Sequence, residues 1–203
     1  MKISKIILLF LAIISFLPIS LAARDILLEF KGAYFHATGS RFKNIYGKSA
    51  ALYGPEITFQ LGECSAWYGF ASVDFLHKKG HSIGLDTPTS IRFMPIAIGL
   101  KYFLSTCFEC ADFYAGLGFQ PVHVRIKNDS EFVDPCISKW ALGGIAKIGA
   151  YFYLSDCIFL NLFAAYSCAR VSPCVPQIPE ARVVSFTASI SGAILGIGLG
   201  YRF

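Results

Sequence analysis

Seven cysteines, four histidines and six charges set within apolar stretches are the residues of this 203-residue chain whose types could do chemistry. Cys64, Cys107, Cys110, Cys136, Cys157, Cys168 and Cys174 contain one C-x-x-C, Cys107-Phe-Glu-Cys110. A zinc site needs a second such pair or nearby histidines, and a redox motif sits at a helix start in a thioredoxin-like unit. The spacing therefore predicts disulfides or free thiols, and an odd count leaves at least one thiol free or joined to another protein. His36, His77, His81 and His123 form no hydrolytic pattern. A nucleophile must lie within reach of a base that a third group orients, and the neighbours His81 and Ser82 point to opposite faces of an extended chain. The glycines from 192 to 200 open no helix, so they cradle no phosphate. No catalytic residue, metal or cofactor is predicted.

The six charges are Glu29, Lys31, Glu56, Asp74, Lys101 and Lys147. What they do depends on the elements that carry them. The composition is 55% apolar with 15% charged residues, well under the roughly 25% of soluble domains. It excludes disorder, collagen and charged coiled coils, and it points to a membrane. Residues 1–22 are set apart: Lys2 and Lys5 precede an apolar run over 6–17, and Ser20-Leu21-Ala22 ends in small residues. That pattern is a secretory signal peptide, cleaved after Ala22 or Ala23. Two of the 18 basic residues lie in it, against 13 acidic residues elsewhere, and an exported chain of such weak positive balance argues against nucleic acid.

Residues 183–201 carry no charge and are long enough for a membrane helix. The periodicity decides otherwise. From 192 onward, Gly192, Ile194, Gly196, Gly198, Gly200 and Arg202 alternate with Ala193, Leu195, Ile197, Leu199, Tyr201 and Phe203, a period of two. The same alternation predicts eight strands, over 26–36, 51–62, 66–76, 91–104, 112–124, 139–154, 157–170 and 192–203. All six charges fall opposite the large apolar residues. A charge on the lipid face of a barrel costs about 2–4 kcal/mol at the midplane, so the six are expected inside a lumen, paired into a salt-bridged plug or, alternatively, forming a gate or proton relay.

The predicted fold is all-β, an eight-stranded antiparallel transmembrane β-barrel over residues 23–203. Eight strands leave an interior that side chains fill. Connections alternate between short (63–65, 105–111, 155–156) and long (37–50, 77–90, 125–138, 171–183), which puts the short turns and both termini in the periplasm. Cys64, Cys107, Cys110 and Cys157 then lie at periplasmic turns, Cys136 and Cys174 in outer loops and Cys168 near the outer end of a strand. In an oxidising compartment such cysteines are expected to pair. His77, Lys78, Lys79 and His81 in the second outer loop either contact lipopolysaccharide phosphates or are solvated.

Leu199-Gly200-Tyr201-Arg202-Phe203 and the opening Glu29-Phe30-Lys31-Gly32-Ala33-Tyr34-Phe35 resemble the last and first strands of small bacterial outer-membrane barrels of the OmpX and OmpW kind. The resemblance implies that Leu199, Tyr201 and Phe203 are an assembly signal read by the barrel-assembly machinery. The cysteines depart from that pattern. In this respect the chain is similar to cysteine-bearing envelope proteins of chlamydia-like bacteria, which implies disulfides to other envelope proteins. The expectation is a non-enzymatic outer-membrane barrel with a filled lumen, surrounded by outer-membrane lipid and lipopolysaccharide, acting structurally or through its outer loops. The alternatives are a narrow channel for small hydrophobic molecules, as in the OmpW kind, and a lipid A-modifying enzyme.

Overall fold

The computed structural model describes residues 25–62, 65–81, 88–104, 110–128, 136–171 and 188–203. The expected signal peptide lies outside them. Eleven strand segments form one sheet: β1 (Ile26–Ala37), β2 (Ser49–Gln60), β3 (Trp67–Val73), β4 (Leu76–His81), β5 (Pro88–Leu104), β6 (Ala111–Phe119), β7 (Val122–Asn128), β8 (Cys136–Tyr153), β9 (Ile158–Val171), β10 (Ala188–Ser189) and β11 (Gly192–Arg202). A helix, α1 (Ser40–Tyr46), lies between β1 and β2. Strand β1 pairs with β2 on one side and β11 on the other, both antiparallel, so the sheet closes. The chain is an eight-stranded antiparallel β-barrel. Among the described residues no helix is long and apolar enough to cross a membrane.

Three of the eight staves come in two pieces, β3 with β4, β6 with β7 and β10 with β11, and prolines explain the first two breaks. Asp74 N–H donates to Pro95 O at 3.0 Å and Ile96 N–H to Pro121 O at 2.9 Å. Neither proline can return the bond, because it has no N–H. The register runs through unchanged: Val73 pairs with Ile96 before the first gap and Leu76 with Phe93 after it. Thus β3 with β4, and β6 with β7, each act as one long stave.

The staves run farther than the predicted strands. Along β5 the odd residues face inward throughout, but polarity inverts on the way. Lys101 is buried inside while Ile98 and Leu100 are exposed outside; farther along, Ile91 and Phe93 are buried inside and Arg92 is exposed. The first stretch is apolar outside, as lipid demands, and the second is apolar inside, as water demands. Residues 77–81, 88–90, 125–128 and 136–138, expected as loop, are therefore strand.

Four of the six inward positions of β11 are glycine, and the neighbours show why. A methyl group at Gly192 would run into the Phe35 ring, at Gly196 into Phe163, at Gly198 into the Glu29 carboxylate and at Gly200 into Phe159. The large groups of β1 and β9 fill the lumen, and β11 leaves them room. We expect Gly200→Ala to cost about 1–3 kcal/mol by overpacking, read as a lower urea midpoint. Phe159→Leu in the same chain should recover most of it.

Candidate functional site

Gln60 and Trp67, Leu104 and Ala111, and Tyr153 and Ile158, the strand ends nearest one another in sequence, lie at one end of the barrel with the described chain ends; α1 lies at the other, far end. From the terminal end inward, the lumen is built in layers. At the mouth Arg202 Nη2 lies 2.7 Å from Asp25 Oδ2, and the Tyr153 hydroxyl donates to Asp112 at 2.8 Å. Next comes an aromatic floor. Tyr68 and Phe103 have ring centroids 4.4 Å apart, Phe103 and Tyr151 5.4 Å, Tyr114 and Tyr151 5.1 Å, and Tyr151 and Phe159 4.8 Å.

Above the floor lies the charged layer, and strand parity alone brings it together. Glu56 of β2 receives three ammonium groups: Lys101 Nζ of β5 at 2.6 Å from Oε1, and on Oε2 both Lys31 Nζ of β1 at 2.7 Å and Lys147 Nζ of β8 at 2.5 Å. Lys31 also lies 3.3 Å from Asp74 Oδ1. Lys101 further donates to Thr58 Oγ1 at 3.0 Å and to the Tyr151 hydroxyl at 2.6 Å, and it sits over the Tyr114 ring at 4.6 Å. Lys147 lies over Phe70 at 4.8 Å. All six predicted charges are buried. Glu29 is placed apart from the rest: it accepts from Asn161 Nδ2 at 3.1 and 2.8 Å, and the Asn161 carbonyl in turn accepts from the Tyr114 hydroxyl. A neutral amide takes the place of the lysine expected there, because the three lysines converge on Glu56. The hydrogen bonds from Lys101 to Thr58 and Tyr151 and from Asn161 to Glu29 help to make such buried charge tolerable, whereas the buried Ser72 hydroxyl has no hydrogen-bond partner among the described residues.

Toward the far end the lumen becomes apolar, with Phe35, Leu52, Ile91, Phe93 and Val124 buried inside. Helix α1 caps it. Phe42 stacks on Phe93 with centroids 5.7 Å apart and meets Phe35 edge-on at 6.0 Å. Tyr46 OH lies 3.4 Å from Thr89 Oγ1, and burial pushes its phenol pKa up. A side chain at Gly80 would collide with the Ile45 carbonyl, so β4 is thin where the helix rests. Gly47, at φ 83°, ends the helix and donates its N–H to Lys43 O, the left-handed close that glycine allows at least cost. The alternation of connections predicts only a loop over 37–50, where the structure has α1. The signal was present as Phe42, Ile45 and Tyr46 at helical spacing before a glycine.

The cysteines give no disulfide among the described residues. Cys110, Cys157 and Cys168 are exposed free thiols, against the expectation of pairing. Cys110 and Cys157 are at the terminal end, whereas Cys168 is ten residues along β9 from Ile158, roughly 30 Å at about 3.3 Å per residue, too far to pair with either. Cys64, Cys107 and Cys174 lie outside the described residues, as does the Cys136 side chain. No group of three potential metal ligands occurs among the described residues.

One pair that the sequence hid is His123 Nε2 and Ser138 Oγ, 2.9 Å apart on the outer wall. The partners described for the imidazole are Ser138 and the Trp140 ring, neither of them a carboxylate that could orient it. Leu199, Tyr201 and Phe203 are exposed on the outer wall of the closing strand, with the Tyr201 and Phe203 rings edge to face at 4.8 Å. A shallow apolar depression of about 840 Å³ also lies on that wall, where Ala115, Ala146 and Ala164 sit between Leu100, Leu117 and Tyr166.

A closed eight-stave barrel, apolar outside and charged within, matches solved structures along nearly its whole length. E. coli outer membrane protein W aligns with a TM-score of 0.60 at 11% identity, over 89% of this chain and 98% of that one. The outer membrane protein OprG from Pseudomonas aeruginosa gives 0.59 at 17% identity, over 89% and 96%, and Neisserial surface protein A 0.58 at 13%, over 88% and 97%. The fold is that of the small outer-membrane β-barrels. No protein-family model and no curated protein sequence matches the chain, so the likeness of this outer-membrane-type barrel is one of fold.

Proposed function

We propose that this barrel is an integral protein of the bacterial outer membrane with both termini in the periplasm and a closed lumen, and that it acts in envelope structure or surface contact through its far-end loops, without enzymatic activity. The observation that carries the reading is the three-lysine cluster on Glu56 lying over an aromatic floor. The lysines reach Glu56 from β1, β5 and β8, and the ring contacts of the floor run from Tyr68 on β3 to Phe159 on β9. Its partners on this reading are outer-membrane lipid and lipopolysaccharide around the wall and the barrel-assembly machinery at Leu199, Tyr201 and Phe203. Other envelope proteins are reached through the exposed thiols of Cys110 and Cys157.

Planar-bilayer recording tests the closed lumen. The protein is expected to pass no steady current, and a steady conductance that disappears when the lumen is blocked would overturn the reading. A second reading, a narrow channel for small hydrophobic molecules, is favoured by the apolar side chains that line the lumen under α1. That lining ends on the charged layer. Uptake of an apolar tracer into vesicles by the wild type would support the channel, whereas the closed-lumen reading expects the same slow leak as in empty vesicles. The non-enzymatic reading expects lipid A of unchanged acylation in cells with and without the gene.

A further inference from the structure

At the far end, one side of the outer wall changes character. Met94, His123 and Trp140 form a row across β5, β7 and β8, at the edge of the apolar belt. The next row outward is His77, Arg92, Arg125 and Ser138, each directly opposite its neighbour on β4, β5, β7 and β8. Beyond it Lys79, Ser90 and Lys127 line up in the same way. All the cations of these rows are exposed, while Leu76, Ile91, Phe93 and Val124 beside them in sequence are buried. The core thus fixes which way the cations face, because a one-residue slip would turn them inside. None of the outward residues described in these rows is an acid. On the opposite wall, the described outward side chains near this end include Tyr34, His36, Ala51, Tyr166, Cys168 and Ala193, none of them permanently charged.

Like charges directly across an antiparallel pair are destabilising, so the direct Arg92–Arg125 pairing is not one that strand pairing by itself favours. What two guanidinium forks side by side fit is the oxygens of a phosphate. The patch also faces sideways, continuous with the apolar belt and with the Trp140 indole at its foot. A ligand that follows the wall from one zone to the other needs an anionic head and apolar chains. We propose that Arg92, Arg125, Lys127 and Lys79 hold the phosphorylated headgroup of an outer-leaflet glycolipid, whose acyl chains lie on the apolar wall below. This inference rests on the outer-membrane reading above.

The test refolds the full chain into nanodiscs of zwitterionic phospholipid carrying either bis-phosphorylated lipid A or the same lipid A with its phosphates removed. Lipid retained per barrel is then counted by native mass spectrometry. The phosphorylated form is expected to be retained and the dephosphorylated form lost. Each basic residue near an anionic lipid surface contributes roughly fivefold in affinity, so Arg92→Gln with Lys127→Gln should weaken retention by roughly twentyfold. Lys43→Gln with Lys48→Gln, which removes two cations of the same end but off the patch, should leave it unchanged. Equal retention of the two lipid A forms, or equal loss in the two double variants, overturns the headgroup site while leaving the membrane reading intact. Tighter binding of a soluble sulfated polysaccharide than of lipid A overturns it in favour of a soluble polyanion. A chain that folds in water and refuses the discs overturns both readings.

Discussion

Glu56→Gln is expected to cost the barrel about 3–5 kcal/mol, the range for removing one partner of a buried ion pair. The glutamine keeps the shape of the carboxylate and removes its charge. Lys31, Lys101 and Lys147 then share one neutral amide in a space from which water is excluded, with Asp74 in contact with Lys31 alone. The loss spreads over four staves, because the partners come from β1, β2, β5 and β8. Urea unfolding in phospholipid vesicles, followed by the heat-modifiable shift on electrophoresis, measures it. Glu56→Gln with Lys147→Met should recover part of the lost stability, since it removes a stranded charge and puts an apolar group beside Phe70. A midpoint within error of the wild type would show that water reaches the layer and that the bore is open.

Deleting Phe203 is expected to lower the amount of folded barrel in the membrane several-fold while leaving the stability of the barrel that does fold within about 1 kcal/mol. In the closed structure Phe203 is 68% exposed, and Leu199 and Tyr201 are 58% and 45% exposed. Side chains so little buried contribute little to the finished fold. The one described backbone bond at risk is from Phe203 N–H to Ile26 O, at 2.9 Å. A large effect on yield therefore has to act before closure, when the last strand is recognised. Comparing assembly in cells with unassisted refolding into vesicles separates the stages. Normal yield in cells would remove the assembly signal from Phe203, and equal losses in both settings would make its role structural.

How much of this was legible beforehand follows from one physical contrast. Across the apolar belt the inward and outward residues differ in polarity, so Glu56, Lys101 and Lys147 could be assigned to the lumen from parity, and the structure has them buried there. Beyond the belt the contrast reverses sign. Ile91 and Phe93 turn inward while Arg92 faces out, and a search for one continuous apolar face stops where the two zones meet. That is why the far-end hairpins read as loops. Helix α1 escaped for a different reason: seven residues are too few for a periodic signal to stand out, and its stability comes from the Phe42 contacts with Phe35 and Phe93 rather than from its own propensity. The pairing of His123 with Ser138 depends on the β7–β8 register, which no local pattern encodes. Asn161 could be placed inside by parity, but its service to Glu29 could not, since an amide carries no charge to announce a partner.

The thinness of β11 bears on the order in which the barrel is made. Its inward side is hydrogen atoms at four of six positions, so the rings of Phe35, Phe159 and Phe163 can settle against their other neighbours before the last strand arrives. Closing the seam between β9 and β1 then forms ladder hydrogen bonds on both sides of the strand without threading bulky groups past one another. The final step resembles sliding a flat slat into a nearly finished cask whose contents are already packed.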